Sequence, residues 1–242
     1  MCDIKLYKSD LNQQIPLLKY ISKEYDIQDL QRYFPILLNF YNFKNNYEKK
    51  FNILNSKYII YRLRNQIIDE EYNIFENQNR KYMAEIKKNY KYSKIYKKQI
   101  FVKVNSILDP MCYMMGYYNK KNNIYLPHYK KYKLDKYTFN KVNSNNNTAY
   151  IDTFSTYLLS QLVEKNICCS FPLFYGSLIG IKKKFFYNIT EEYDSLKKTD
   201  WFYNGINKNY DVHSILKKKN LNKKFILQPI VLIIDEKSDS LS

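Results

Sequence analysis

The sequence predicts an α+β fold in which several strands accompany one main helix. Residues 100–110 form an apolar run rich in β-branched residues, which is typical of a buried or half-buried strand. Residues 231–234 are continuously apolar, as expected of a strand buried on both faces. Between them, an apolar side chain recurs at steps of three and four residues, at Ile151, Phe154, Leu158 and Leu162. This stripe predicts a helix over about 149–165, with Thr148 as its cap.

Composition indicates a chain that can bury a core and that attracts anions. The 242 residues are enough for one ordinary domain or two small ones. Hydrophobic residues make up 45% of them, which is sufficient for a buried core. The net charge of +17 favours partners such as nucleic acid, acidic lipid, nucleotide or acidic protein. Nearly all the positive charge is lysine, spread among Asn, Ile and Tyr as in an AT-rich genome, so the charge alone is weak evidence for nucleic-acid binding.

Cysteine and histidine usage argues against a disulfide framework and a zinc site. The four cysteines form no C-x-x-C pair, and two histidines cannot complete a convincing zinc spacing. Reduced thiols fit a cytosol-like compartment, so we expect a cytoplasmic protein without a metal. The N-terminus lacks the apolar core of a signal peptide, and no apolar run approaches the length of a membrane span, so no membrane partner is expected.

The first hundred residues predict short helices and then strands. Apolar residues at helical spacing predict helices within residues 4–50, including the stretch that contains Ile27 and Leu30. Residues 57–63 are rich in aromatic and β-branched side chains and predict a strand. Residues 81–98 interleave lysines with tyrosines. We interpret them as a solvated strand pair or linker; the alternative is a surface that follows a nucleic-acid backbone and stacks bases.

Lys103 is the unusual residue of the 100–110 strand, because a lone ammonium is costly to bury. Two interpretations follow. The lysine lies at a sheet edge and reaches water, or it is paired with an anion, as is the phosphate-binding lysine on the third strand of a protein kinase.

The remaining segments are less distinctive. Met-rich residues 111–116 are typical of core filler. Residues 168–184 predict a strand pair with a Gly-marked turn, and residues 190–220 a polar insert or long loop around Trp201. Residues 225–234 predict a strand interrupted at Pro229.

Five short motifs in one order resemble the small N-terminal lobe of the divergent serine/threonine protein kinases of large DNA viruses. The matching segments are Phe101-Val102-Lys103-Val104 with Leu108-Asp109-Pro110, Asn147-Thr148-Ala149-Tyr150-Ile151-Asp152, Tyr157-Leu158-Leu159-Ser160-Gln161-Leu162, Phe171 to Gly176, and Pro229-Ile230-Val231-Leu232 with Glu236-Lys237. The resemblance implies an antiparallel sheet with one main helix over residues 99–242, which end at the hinge. Residues 1–98 correspond to a mostly helical N-terminal extension.

The resemblance also implies a nucleotide site. Lys103 would hold the α- and β-phosphates of ATP, and an acid on the following helix would orient it. Glu164 is the favoured acid and Asp152 the alternative. Backbone groups near Glu236 and Lys237 would meet the adenine.

Departures from the family pattern limit the expected activity. No glycine precedes Lys103, so no G-x-G-x-x-G loop covers the phosphates, and the sequence contains neither H-R-D nor D-F-G. We therefore expect no catalytic residues and no activity alone. Phosphoryl transfer, with Mg²⁺, would need a large-lobe polypeptide, as for a fragment or half of a split viral kinase. The alternatives are a non-catalytic protein-interaction scaffold (a pseudokinase relic) and a basic nucleic-acid-binding protein.

Overall fold

A computed structural model describes residues 11–31, 56–67, 80–88, 93–118, 126–127, 135–182, 185–212 and 228–236. The helices are α1 (Leu11–Glu24), α2 (Pro110–Met114), α3 (Lys136–Asn143), α4 (Thr148–Glu164), α5 (Tyr193–Leu196) and α6 (Asp200–Gly205). The strands are β1 (Ile27–Gln31), β2 (Tyr58–Ile67), β3 (Arg80–Lys88), β4 (Ile95–Ser106), β5 (Phe174–Lys182) and β6 (Gln228–Glu236). The predicted α+β class is confirmed.

The described strands form one sheet in the order β1-β5-β6-β4-β3-β2, and every neighbouring pair is antiparallel. β4 is an interior strand: Lys103 lies opposite Ile233 of β6, and Phe101 lies opposite Lys81 of β3. On the β3 side the described pairing ends at Val102, opposite Arg80, so Lys103 lies just beyond that ladder and its predicted edge position stays a prediction. Residue 98, the expected domain boundary, falls inside β4, so strands from both sides of it share the sheet.

One face of the sheet encloses a core with α1. Alternation along β4 buries Ile100, Val102 and Val104 on this face, as the two-residue period of a strand requires. β2 also approaches β5, so the sheet curves around this core. The other main members are Leu17, Ile21, Tyr25, Ile27, Ile60, Leu63, Tyr82, Ala84, Ile86, Tyr175, Leu178 and Phe185.

The opposite face packs against α4 around a second core. The buried residues of α4 are Ala149, Tyr150, Thr153, Tyr157, Ser160 and Gln161. The predicted stripe is therefore rotated by one residue, or about 100°: Ile151 is 45% exposed, whereas Phe154 and Leu158 are half-buried at the margin of the core. The rings of Tyr150 and Tyr157 are buried in this core, and the Tyr150 hydroxyl donates to the Val142 carbonyl at 2.7 Å.

The cap of α4 is Asn147 rather than the predicted Thr148. The Asn147 side-chain oxygen accepts a hydrogen bond from Ala149 N at 3.1 Å, while its Nδ2 donates to the carbonyls of Ile107 and Lys141 at 2.8 and 3.1 Å. A single buried side chain thus starts the helix and fastens it to two other segments.

Two other local predictions are wrong. Residues 27–31, expected to be helical, form β1 because they pair with β5, as in Ile27 opposite Lys182. The described part of residues 168–184, expected to form a strand pair, contains one strand, β5. Its two glycines do not form a turn that reverses the chain. Gly176 lies at a β-bulge with φ of 150°, and Gly180 leaves room for Ile27 and Gln28 of β1. β6 continues through Pro229, which lies opposite Ile181.

The described part of the insert, residues 190–212, contains α5 and α6 and forms a satellite core with α2. Met114, Leu196, Phe202 and Tyr210 are buried in it, so the Met-rich segment fills this core through Met114, whereas Met115 is 38% exposed. The Tyr210 hydroxyl donates to the Phe202 carbonyl at 2.8 Å, and burial raises the pKa of Tyr210 to about 12. No helix in the described ranges is long and apolar enough to cross a membrane.

Candidate functional site

Lys103 projects from the interior of the sheet towards α4. Because residues alternate across a strand, Lys103 shares its face of β4 with Phe101 and Asn105, while Val102 and Val104 point into the α1 core. All three residues on the α4 face are half-buried. Solvent can therefore still reach the side chain of Lys103.

Asp152 of α4 pairs with this lysine. The Lys103 Nζ donates to Asp152 Oδ2 at 2.6 Å, and Asn105 Nδ2 donates to the same oxygen at 2.5 Å. The two charged side chains are 39% and 37% exposed, so solvent screens their attraction. The pair joins β4 to the start of α4, so the anion that Lys103 contacts is a carboxylate of the protein; its role as a phosphate-binding lysine stays a prediction.

Glu164 lies at the other end of α4. Twelve residues separate it from Asp152, which at 1.5 Å per residue is about 18 Å along the axis. Its Oε1 accepts a hydrogen bond from the backbone N of Lys57 at 3.3 Å. Lys103 therefore pairs with Asp152, the acid considered as the alternative, and not with Glu164. Any role of Lys103 or Glu164 towards a nucleotide stays a prediction.

The two remaining predicted site residues lie at the end of β6. Glu236 is the last residue of that strand, opposite Ile100 of β4, so the backbone expected to meet adenine adjoins the lysine strand. Lys237 lies outside the described residues. Lys103 lies opposite Ile233 in the same β4–β6 pairing. The backbone of Glu236 is therefore three residues further along β6 from the residue that faces Lys103.

Two features of the sequence that precedes Lys103 depart from the pattern of active kinases. Phe101 occupies the position two residues before the lysine, on the same face, where the kinase motif V-A-I-K has alanine. The β2–β3 connection, residues 68–79, contains no glycine and carries Asp69, Glu70, Glu71 and Glu76. The kinase pattern has a glycine-rich loop over the phosphates, so this acidic, glycine-free sequence departs from it.

A second charged cluster lies on the same face of the sheet, across β2, β3 and β4. Glu85 of β3 accepts hydrogen bonds from Arg64 Nε at 3.0 Å and from Arg64 Nη2. That bonding, together with the nearby charges of Arg62 and Lys97, lowers the pKa of Glu85 despite its burial. Next to it, the Lys87 ammonium lies 4.9 Å from the centre of the Tyr61 ring.

Sequence reasoning missed this cluster because its members come from three strands. Lys97 lies directly opposite Glu85 in the β3–β4 register, and Arg62 lies opposite Glu85 in the β2–β3 register. The detectable signal was the alternation of Arg62 and Arg64 along β2, which puts two guanidinium groups on one face. Within the described segments no group of three His, Cys, Asp or Glu residues could hold a metal ion.

Comparison with known proteins gives no relative for this chain: no family model, no curated protein and no solved structure matches it. The assignment of function therefore depends on the residues and geometry described above.

Proposed function

We propose that the chain is a protein-kinase-like small lobe that serves as a non-catalytic binding module. The ion pair between Lys103 and Asp152 carries the proposal. In protein kinases, a lysine on the third strand pairs with an acid on the helix that follows. Here β2, β3 and β4 are consecutive antiparallel neighbours, the third of them carries Lys103, and α4 supplies the acid. α4 lies between β4 and β5 in the chain, as the resemblance requires.

The residues beside the pair favour binding over phosphoryl transfer. Phosphoryl transfer depends on positioning and on electrostatic stabilisation of the transferred group. Phe101 and the acidic, glycine-free connection between β2 and β3 both oppose tight enclosure of a triphosphate.

The second candidate function is ATP binding by one half of a split serine/threonine kinase. The solvent accessibility of the Lys103–Asp152 pair supports it. The side chain of Lys103 is 39% exposed, so a phosphate could approach it without displacing a core side chain. On this alternative, a large-lobe polypeptide would supply the magnesium ligands and the catalytic base.

Nucleotide titration separates the two candidates. A fluorescent ATP analogue is added to the full chain, with and without Mg²⁺, and its anisotropy is followed to millimolar concentration. We expect no saturable binding by the wild-type chain, and no difference between wild type and Lys103→Ala. Saturable micromolar binding that Lys103→Ala abolishes would contradict the binding-module proposal and favour the split kinase.

Lys98→Ala is the matched control, because it removes the same charge from an exposed position of the same strand. A further variant, Phe101→Ala, tests the reason offered for weak binding. If the ring obstructs the nucleotide, Phe101→Ala increases binding of the analogue, and Phe101→Ala combined with Lys103→Ala does not.

A further inference from the structure

Positive charge is concentrated on β2, β3 and the first part of β4. The described residues 56–67, 80–88 and 93–99 contain ten Lys and Arg residues and one acid, Glu85, a net charge of +9 in 28 residues. The whole 242-residue chain has a net charge of +17, so the other 214 residues carry only +8. The connection 68–79 between β2 and β3 carries four acids and neither Lys nor Arg, so the surplus belongs to the strands themselves.

Arginine is also concentrated in these strands. The chain contains four arginines, and three of them, Arg62, Arg64 and Arg80, lie in β2 and β3. A lysine-biased genome enriches lysine, so arginine at these positions is a separate feature. Its planar guanidinium group binds phosphate oxygens through two parallel hydrogen bonds, which lysine cannot do.

Glu85 does not cancel this field. Its carboxylate is 11% exposed and is occupied by Arg64, and Arg62 and Lys97 flank it from the two neighbouring strands. Both Arg62 and Lys97 are exposed. The acids that lie near these strands in the sequence belong to the connection 68–79 and not to the strands. The face therefore presents surplus positive charge to solvent.

An aromatic ring lies among these cations. Tyr61 is 38% exposed, and the charged groups of Lys87 and Arg62 lie 4.9 and 5.9 Å from the centre of its ring. Exposed rings beside cations are the arrangement on which single-stranded nucleic acids bind: cations contact phosphates while bases stack on the ring. An acidic protein or an anionic membrane would match the charge but would not need the accessible ring.

We infer that the face of the sheet formed by Tyr61, Arg62, Arg64 and Lys97 binds single-stranded nucleic acid without sequence preference. This inference goes beyond the proposed function and does not depend on the kinase resemblance, because none of these residues contacts Lys103 or Asp152 in the interactions described above. Arg62 and Lys97 contact phosphates, Tyr61 stacks on a base, and Arg64 with Glu85 holds the strands that present them.

The test is fluorescence anisotropy of a fluorescein-labelled 20-nucleotide oligo(U) RNA titrated with the full chain at several salt concentrations. We expect saturable binding that weakens as salt increases, because phosphate contacts release counterions. Arg62→Glu combined with Lys97→Glu should reduce affinity at least tenfold. The corresponding neutral pair, Arg62→Gln with Lys97→Gln, should flatten the log–log salt slope by about 1.4, since each lost contact contributes about 0.7 for a single strand.

The matched control is Lys198→Glu combined with Lys208→Glu, which changes the net charge equally at exposed positions outside these strands. It should alter affinity less than threefold. Tyr61→Ala should weaken binding about tenfold, whereas Tyr61→Phe should bind as wild type does, because stacking needs the ring and not the hydroxyl. Circular dichroism of every variant must match wild type for the comparison to count.

Three results would overturn the inference. Equal loss of affinity in the control pair would mean that total charge alone drives binding. Tighter binding to duplex DNA than to oligo(U) would exclude base stacking. Co-sedimentation with phosphatidylserine vesicles in the absence of saturable oligo(U) binding would make the face a membrane-binding surface.

Discussion

Two lysines on the two faces of the sheet have opposite environments. Lys182 of β5 is 2% exposed, and its ammonium donates to the Tyr25 carbonyl at 2.8 Å beside the Tyr25 ring. Lys103 of β4 is 39% exposed at its side chain and pairs with Asp152 of α4. The first faces the α1 core, and the second faces α4.

The difference separates a structural lysine from an accessible one. A buried ammonium loses its hydration and is tolerated only where protein acceptors replace water, so Lys182 fastens the α1–β1 segment to β5. A half-exposed ion pair contributes little to stability, so Lys103 remains available for another role. Local sequence does not distinguish the two residues, because each follows an apolar stretch of a strand.

The largest expected effect is that of replacing the buried lysine. Lys182→Met keeps the length of the side chain but leaves the Tyr25 carbonyl without this donor, which should lower the free energy of unfolding by about 1–3 kcal/mol. Urea denaturation followed by tyrosine fluorescence and circular dichroism measures it. The control Lys198→Met, at an exposed position, should change stability by less than about 0.5 kcal/mol. Equal effects in the two variants would mean that Lys182 is not a structural residue.

Removing the cap of α4 should have the next largest effect. Asn147→Ala deletes the acceptor for Ala149 N and the donor to the Ile107 and Lys141 carbonyls, so we expect a loss of about 1–2 kcal/mol. Asn147→Asp retains the helix cap but not the donor, and its stability should be intermediate. Amide hydrogen exchange should show faster opening at residues 148–152. Unchanged protection there would contradict the role assigned to Asn147.

The Lys103–Asp152 pair should contribute less. A double-mutant cycle with Lys103→Met and Asp152→Asn should give an interaction free energy of about 0.2–1 kcal/mol, because both side chains are more than one-third exposed. Adding 1 M salt should reduce this value by screening the pair. An interaction energy above about 3 kcal/mol would make Lys103 as structural as Lys182 and would remove the contrast between them.

The smallest effect concerns Glu85 and pH. Arg64 holds the pKa of Glu85 below its usual range in the folded chain. The stabilisation that follows is complete above the unfolded pKa of about 4.3 and is lost as the pH falls through the lower folded value. The difference in unfolding free energy between wild type and Glu85→Gln should therefore be constant at neutral pH and shrink in acid. A difference that grows in acid would mean that the pKa of Glu85 is raised, not lowered, on folding.

The fold was predictable from sequence wherever one strong pattern decided it. The strand at residues 57–63, the Lys103 strand and the main helix all occur near their expected bounds, as β2, β4 and α4. Each depends on an apolar or aromatic run that makes only one secondary structure favourable.

The failures have one physical cause: tertiary pairing that local pattern does not report. β1 carries a helix-like spacing but pairs with β5, whose Gly180 leaves room for it. In α4, counting Ile, Phe and Leu overlooked Tyr150 and Tyr157, whose rings fill the core while the Tyr150 hydroxyl is satisfied. A search for Ile, Phe and Leu at helical spacing does not detect tyrosines, although their large rings can be buried when the hydroxyl is hydrogen-bonded.

The candidate site was predictable in its lysine but not in its acid. A lysine within an apolar strand needs a partner or access to solvent, and this requirement identifies Lys103. The choice between Asp152 and Glu164 depended on where β4 crosses α4, and sequence spacing does not contain that information. The Glu85 cluster was missed for the same reason, since Arg62, Arg64 and Lys97 converge only through strand register.

Lysine-selective labelling tests the central claim most directly. The full chain is treated briefly with an amine-reactive reagent, with and without Mg-ATP, and the modification of each lysine is quantified by mass spectrometry. We predict that Lys103 is labelled at least tenfold faster than Lys182, and that ATP leaves its rate unchanged. Equal labelling of the two residues would contradict the division into accessible and structural lysines. Protection of Lys103 by ATP would contradict the non-catalytic binding module and restore the nucleotide site.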